Sequence, residues 1–185
     1  MTGVKLQILP VSVLLLTALL SGCVLLQASE RGSDATPTPA MVTQWAIAAT
    51  ASSQYGIPDW SARRATGAPE IAACRDDARA WASARGNGAE WLELRYAVPV
   101  QAFEVRVVQS YGRGAVSRIT LIDALGTATV VWEGEDTHEP CPGVLVARFL
   151  PPDHPVVVVR VDLDESRTGW WNQIDAVALV GAPWE

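Results

Sequence analysis

The sequence predicts an all-β fold, a sandwich or jelly roll of about eight strands. Three observations carry that expectation. Apolar residues recur at every second position through most of residues 44–180, the period of a half-buried strand. Stretches rich in Gly, Pro, Asp and Ser separate these runs and supply turns. No long segment has helical spacing, so the crossover helices that a parallel sheet requires are missing.

The first strand is expected over Trp45 to Thr50. In Glu90 to Tyr96, Leu92, Leu94 and Tyr96 share one face, with Trp91, Glu93 and Arg95 on the other. Phe103, Val105 and Val107 then alternate with Glu104 and Arg106. Ile119 and Leu121 alternate with Arg118 and Thr120, and the turn Asp123-Ala124-Leu125-Gly126 leads into Thr127 to Trp132, the clearest hairpin in the chain. Val144 to Phe149, Val156 to Leu163 and Ile174 to Val180 complete the set. Val156 to Val159 is continuously apolar, as a strand covered on both faces would be. Ile71 to Ala84 is the one segment where a helical turn is expected.

Ahead of this domain the composition changes twice. Lys5 is followed by an apolar run from Leu6 to Leu20 and then by Ser21-Gly22-Cys23. A basic start, an apolar core and small residues at the end describe a secretory signal. Leu20-Ser21-Gly22-Cys23 looks like a bacterial lipobox, in which cleavage precedes the cysteine and its thiol takes the lipid. Residues 1–22 are therefore expected to be a removed lipoprotein signal, with Cys23 the acylated first residue of the mature chain. The competing reading is an uncleaved anchor, because Leu6 to Leu26 is long enough to span a bilayer core. Both place the rest of the chain outside the cytoplasmic membrane. Residues 23–43, with Thr36-Pro37-Thr38-Pro39 at their centre, read as a flexible tether, and residues 44–182 as the folded domain.

Charge narrows the partners. The chain has 14 basic and 20 acidic residues, and its only lysine lies in the signal segment. The mature chain thus balances 13 arginines against 20 acids, which disfavours nucleic acid and leaves attachment to the bilayer to acyl chains such as palmitate. With Cys23 assigned to lipid, Cys74 and Cys141 remain, and export to an oxidising compartment makes a disulfide between them the expectation.

Enzyme signatures are missing: there is no G-x-S-x-G, no H-E-x-x-H and no P-loop pattern. His138 and His154 sit in loops beside prolines, without an oriented acid-base partner legible in the sequence. Eight tryptophans offer another chemistry. Trp45, Trp91 and Trp132 fall within strands and are expected to be core rings, whereas Trp60 and Trp81 flank long loops. Tyr55, Tyr111, Arg113, Trp170 and Trp171 occupy loops or strand ends, where rings stack on sugars and guanidinium groups donate hydrogen bonds. Trp170 and Trp171 also suit a second role, plugging one end of the sandwich.

Seven segments in order carry a resemblance: Trp45 to Gly56, Trp60 to Glu70, Cys74 to Trp81, Glu90 to Leu94, Tyr111 to Ile119, Cys141-Pro142-Gly143 and Gly169 to Val177. Together they resemble the discoidin-like, galactose-binding-like β-sandwich domain of pappalysins, of an F-box and leucine-rich-repeat protein, and of bacterial envelope proteins. The resemblance covers nearly all of Gln44 to Gly181. It implies a jelly-roll sandwich that binds sugars, phospholipid headgroups or proteins through loops at one end. It also implies a structural calcium as cofactor, with Glu70, Asp76, Asp77 and Asp175 as ligands. The plainer reading of Glu70 and Asp76 is that they cap turns.

The sequence therefore points to a non-catalytic module for a glycan or an envelope protein, lipid-anchored to a bacterial membrane and exposed outside the cytoplasm. A structural component of the envelope, mediating assembly without a small ligand, is the alternative.

Overall fold

The structure is a computed structural model, and residues 40–184 are described here. They fall in the compact unit Pro37–Glu185. The expected signal segment, the acylated Cys23 and nearly all of the tether lie outside the described residues.

Eight antiparallel strands form a galactose-binding-like jelly roll: β1 (Val42–Trp45), β2 (Ala48–Ala51), β3 (Ala89–Tyr111), β4 (Val116–Ile122), β5 (Ala128–Glu133), β6 (Gly143–Arg148), β7 (Val156–Asp164) and β8 (Gln173–Pro183). β3 joins the layers. Its first half pairs with β2 and β7, continuing through β4 to β5, whereas its second half pairs with β6 and β8, continuing to β1. Its register with β7 breaks between Arg95 and Val100, around Pro99, a residue that cannot donate to a ladder. At this corner the Gln44 side chain supplies the missing partners: its Nε2 donates to the Val98 carbonyl at 2.7 Å, and its Oε1 accepts the Val98 N–H at 3.1 Å.

The register also shows where the ends meet. Ala89 pairs with Asp164 and Tyr111 with Gln173, so both ends of β3 lie where β7 ends and β8 begins. The loops around residues 52–88, 112–115, 134–142 and 165–172 gather at that end.

The period-two expectation holds through the core. Leu92, Leu94, Tyr96, Val105, Val107, Ile119, Leu121, Val159, Val161 and Leu163 are buried, and the Tyr96 hydroxyl donates to the Val177 carbonyl at 3.2 Å. β8 departs from alternation: Gln173 through Ala182 are all buried, as a central strand covered on both faces requires.

Three expectations need correction. Trp45 to Thr50 is two strands, because the chain crosses at Ala46 and Ile47 from pairing with β8 to pairing with β3. Ile71 to Ala84 forms no helix: Trp81 exchanges two hydrogen bonds with Ile174, at 2.9 and 3.0 Å, and this extended bridge takes the groups a helix would use. The short 3-10 turns lie instead at Ala62–Ala65 and Glu165–Arg167. Finally, Trp45, Trp91 and Trp132 are half-buried, with Trp91 under the Arg160 guanidinium at 4.8 Å, while the fully buried tryptophan is Trp81.

Candidate functional site

Tyr55, Trp60, Asp76, Tyr111, Trp170, Trp171 and Gln173 line an open cleft of about 160 Å³ at the end where the loops gather. It is smaller than the pockets that engulf a drug-sized molecule and suits one face of a small ring. Its aromatic wall is built edge to face. Tyr55 meets Trp60 at 5.3 Å and Trp171 at 5.8 Å between ring centroids, and Trp170 meets Trp171 at 5.8 Å. Tyr55 and Trp170 are 56% and 51% exposed, enough to offer a ring face to a ligand.

Each ring has a local cause for its position. Trp60 adopts φ 52°, a left-handed conformation that a bulky residue enters only when its surroundings demand it. Backbone bonds to Ala78 and from Ala82 hold it there, and its Nε1–H donates to Asp76 Oδ1 at 3.2 Å. Trp171 is half-buried, and its Nε1–H donates to the Ser83 carbonyl at 3.1 Å. Gly112, with φ 58°, passes so close to the Trp171 carbonyl that a side chain would collide with it.

Asp76 and Gln173 supply the polar contacts. Gln173 donates through Nε2 to Asp76 Oδ1 at 2.5 Å and accepts the Asp77 N–H at 3.0 Å, which ties β8 to the loop. Asp76 Oδ2 accepts no hydrogen bond from the described residues.

Below the Trp170–Trp171 pair lies Glu165, fully buried. Its Oε1 accepts the Asn172 N–H at 3.0 Å, and its Oε2 is 2.6 Å from Ser83 Oγ. That hydroxyl has one proton and a second neighbouring acceptor, the Arg85 carbonyl at 2.9 Å. A neutral Glu165 satisfies both contacts: its O–H donates to Ser83, and Ser83 donates to Arg85. Burial pushes the Glu165 carboxyl up to about 7, with the nearby Glu90 charge acting in the same direction and the bonds to Ser83 and Asn172 opposing them.

Of the five expected ligand residues, Tyr55, Tyr111, Trp170 and Trp171 come together in the cleft. Arg113 does not. It is 4% exposed, donates to the Pro140 carbonyl at 2.6 Å and pairs with buried Asp136 at 3.3 Å, so its two terminal nitrogens are engaged within the fold, outside the cleft lining. Trp60, Asp76 and Gln173 were not expected as cleft residues. The signal for Gln173 was a polar residue at the mouth of an apolar strand, two positions after the Trp170–Trp171 pair.

The expected calcium set does not assemble. Among the described residues no group of three or more His, Cys, Asp or Glu side chains is arranged to hold a metal. Asp77 is clasped by Arg79 at 2.7 Å and Arg75 at 2.8 Å, and the Arg79 guanidinium, helped by Arg75, holds its carboxyl well below the usual carboxylate range. Asp175 instead accepts the N–H groups of Glu70 and Ile71 at 3.0 and 2.9 Å, and burial raises its pKa above the ordinary value. Glu70 is exposed, and Asp76 braces the cleft. With Asp77 committed to guanidinium donors and Asp175 to amide donors, the four carboxylates do not converge as an oxygen cage.

The expected disulfide is present. Cys74 and Cys141 are bonded, with Cα atoms 5.1 Å apart, and join the 66–88 loop to the 134–142 loop beside the cleft.

Solved structures share the fold. The family 32 carbohydrate-binding module (CBM32) of AlyQ, solved in complex with 4,5-unsaturated mannuronic acid, is similar with a TM-score of 0.56 and 17% identity over 75% of this chain and 97% of that one. The CBM32 of C. perfringens NanJ, in complex with galactose, gives 0.53 and 16% over 75% and 99%. A chitosan-binding module from a Paenibacillus sp. IK-5 chitosanase/glucanase gives 0.51 and 20% over 71% and 92%. The chain spans only 35% of the longer AlyQ protein that carries CBM32 and alginate lyase domains. No curated protein matches the sequence. Residues 35–185 match the model of the Pappalysin-1 SD scarf domain, C-terminal, and with more than half of its length matched the chain belongs to that family.

Proposed function

We propose that the chain is a non-catalytic glycan-binding module held outside a bacterial cytoplasmic membrane by acylated Cys23. The observation that carries the binding role is the aromatic cleft at one end of the sandwich. Exposed rings of Tyr55 and Trp170 stand beside the acceptor Asp76, which the buried Gln173 amide holds in place, the combination that stacks on a sugar face and accepts from its hydroxyls. Carbohydrate-binding modules of the same fold support the reading. The lipobox-like Leu20-Ser21-Gly22-Cys23 supports the anchor.

A glycan array tests the binding role, followed by titration of tryptophan fluorescence with each sugar retained. Specific binding that Trp170→Ala lowers by about tenfold or more, with the melting temperature unchanged, is the expected result. Silence across the array, together with co-purification of an envelope protein, would favour an assembly component. For the anchor, mass spectrometry of the mature chain is expected to find an acylated N-terminal Cys23; a chain that still begins at Met1 or Thr2, with no acyl mass, rejects it.

A further inference from the structure

The same fold serves an acidic sugar in the AlyQ module, galactose in the NanJ module and chitosan in the Paenibacillus module. The architecture therefore does not choose the charge of a ligand, and the lining of each cleft must. In this chain the lining holds one acidic side chain, Asp76, and no basic one. Of the arginines in the surrounding loops, Arg75 and Arg79 share Asp77 and Arg113 is held by Asp136, and none of the three lines the cleft.

We propose that the cleft selects sugars bearing a free ammonium group, an amino-sugar oligosaccharide, over carboxylated or acetylated ones. The inference rests on the glycan-binding reading above and names its substrate class. Two features converge on a cation. Asp76 is exposed; its Oδ1 is occupied by Trp60 and Gln173, which hold the carboxylate in place, while Oδ2 accepts nothing from the described residues. An ammonium group at Oδ2 gains a charge-assisted hydrogen bond. Tyr55, Trp60, Trp170 and Trp171 line the same cleft, and the exposed rings of Tyr55 and Trp170 offer quadrupole faces that attract a cation there. A uronate in the same place meets Asp76 as a like charge with no cation in the lining to offset it, and an N-acetylated sugar brings no charge at all.

The test is titration of tryptophan fluorescence of the full chain with glucosamine oligosaccharide, its N-acetylated counterpart and oligogalacturonate, at one pH and one ionic strength. The glucosamine oligomer is expected to bind about tenfold tighter than the acetylated one, with no binding of the galacturonate. Asp76→Asn retains an oxygen acceptor for Trp60 and Gln173 while removing the charge, and is expected to abolish the preference. If that variant fails to fold, the salt dependence of the unaltered chain answers instead: the preference should shrink as added salt screens the pair. Equal or tighter binding of the acetylated or carboxylated sugar overturns the amino-sugar inference and leaves glycan binding standing. If no sugar in this set or on the array binds, the glycan reading fails and this inference with it.

Discussion

Arg113 shows how a residue's neighbours decide its role. In the sequence it stands between two glycines after a tyrosine, a place suited to an exposed loop donor. In the fold its side chain and that of Asp136 are 2% and 0% exposed, and Asp136 also accepts the N–H groups of Gly114 and Thr137. Removing the guanidinium leaves a buried carboxylate without its counter-charge. Arg113→Ala is therefore expected to lower unfolding free energy by about 3 kcal/mol in a denaturant titration, and Asp136→Asn in the same chain to recover part of that loss. Gly112 is the second critical residue. Gly112→Ala forces a Cβ against the Trp171 carbonyl in a left-handed conformation, at a cost of about 2 kcal/mol or more. Loss of sugar binding beyond the loss seen in the melting temperature would locate the damage at the Trp170–Trp171 pair.

At the scale of elements, the loop from Glu165 to Asn172 carries two cleft rings and is held from beneath by one carboxyl group. Glu165 has an ordinary value of 4.5 and is raised to about 7 in the folded chain, so the folded state keeps a proton that the unfolded state releases. Its favourable contribution is complete below about pH 4.5 and is lost as the pH rises through about 7, a change on the order of 3 kcal/mol. Unfolding free energy is thus expected to fall between pH 5 and pH 8. Glu165→Gln places an amide donor where the carboxylic O–H stood and should flatten that dependence; an unaltered slope in the variant would assign it to another group. The strands themselves were legible because alternation follows from the pleat, as in Leu92, Leu94 and Tyr96. Three features were not: the return of β3 at Pro99, the crossing at Ala46, and the extended bridge of Trp81 to Ile174 all depend on partners distant in sequence.

For the whole molecule, the Cys74–Cys141 bond closes 67 residues of sequence and ties two loops that flank the cleft. Reduction is expected to lower stability by about 4 kcal/mol in the loop-entropy account, an upper figure, read as a fall in melting temperature with and without reductant. A double Cys74→Ala, Cys141→Ala variant should match the reduced chain.

The amino-acid sequence by itself determined the fold class, the positions of most strands, the cysteine pair and four of the cleft's aromatic residues. These follow from local rules: pleat periodicity, turn composition, the count of cysteines left for pairing, and rings placed at strand ends. Only the tertiary structure decided which charges are free. Asp76, Asp77, Asp175 and Arg113 all look available in a linear reading, yet Asp77 is clasped by arginines, Asp175 caps a loop, Arg113 is buried against Asp136, and Asp76 alone stands among the rings. The availability of a charge depends on what lies within about 4 Å of it, and in a sandwich those neighbours come from loops far apart along the chain.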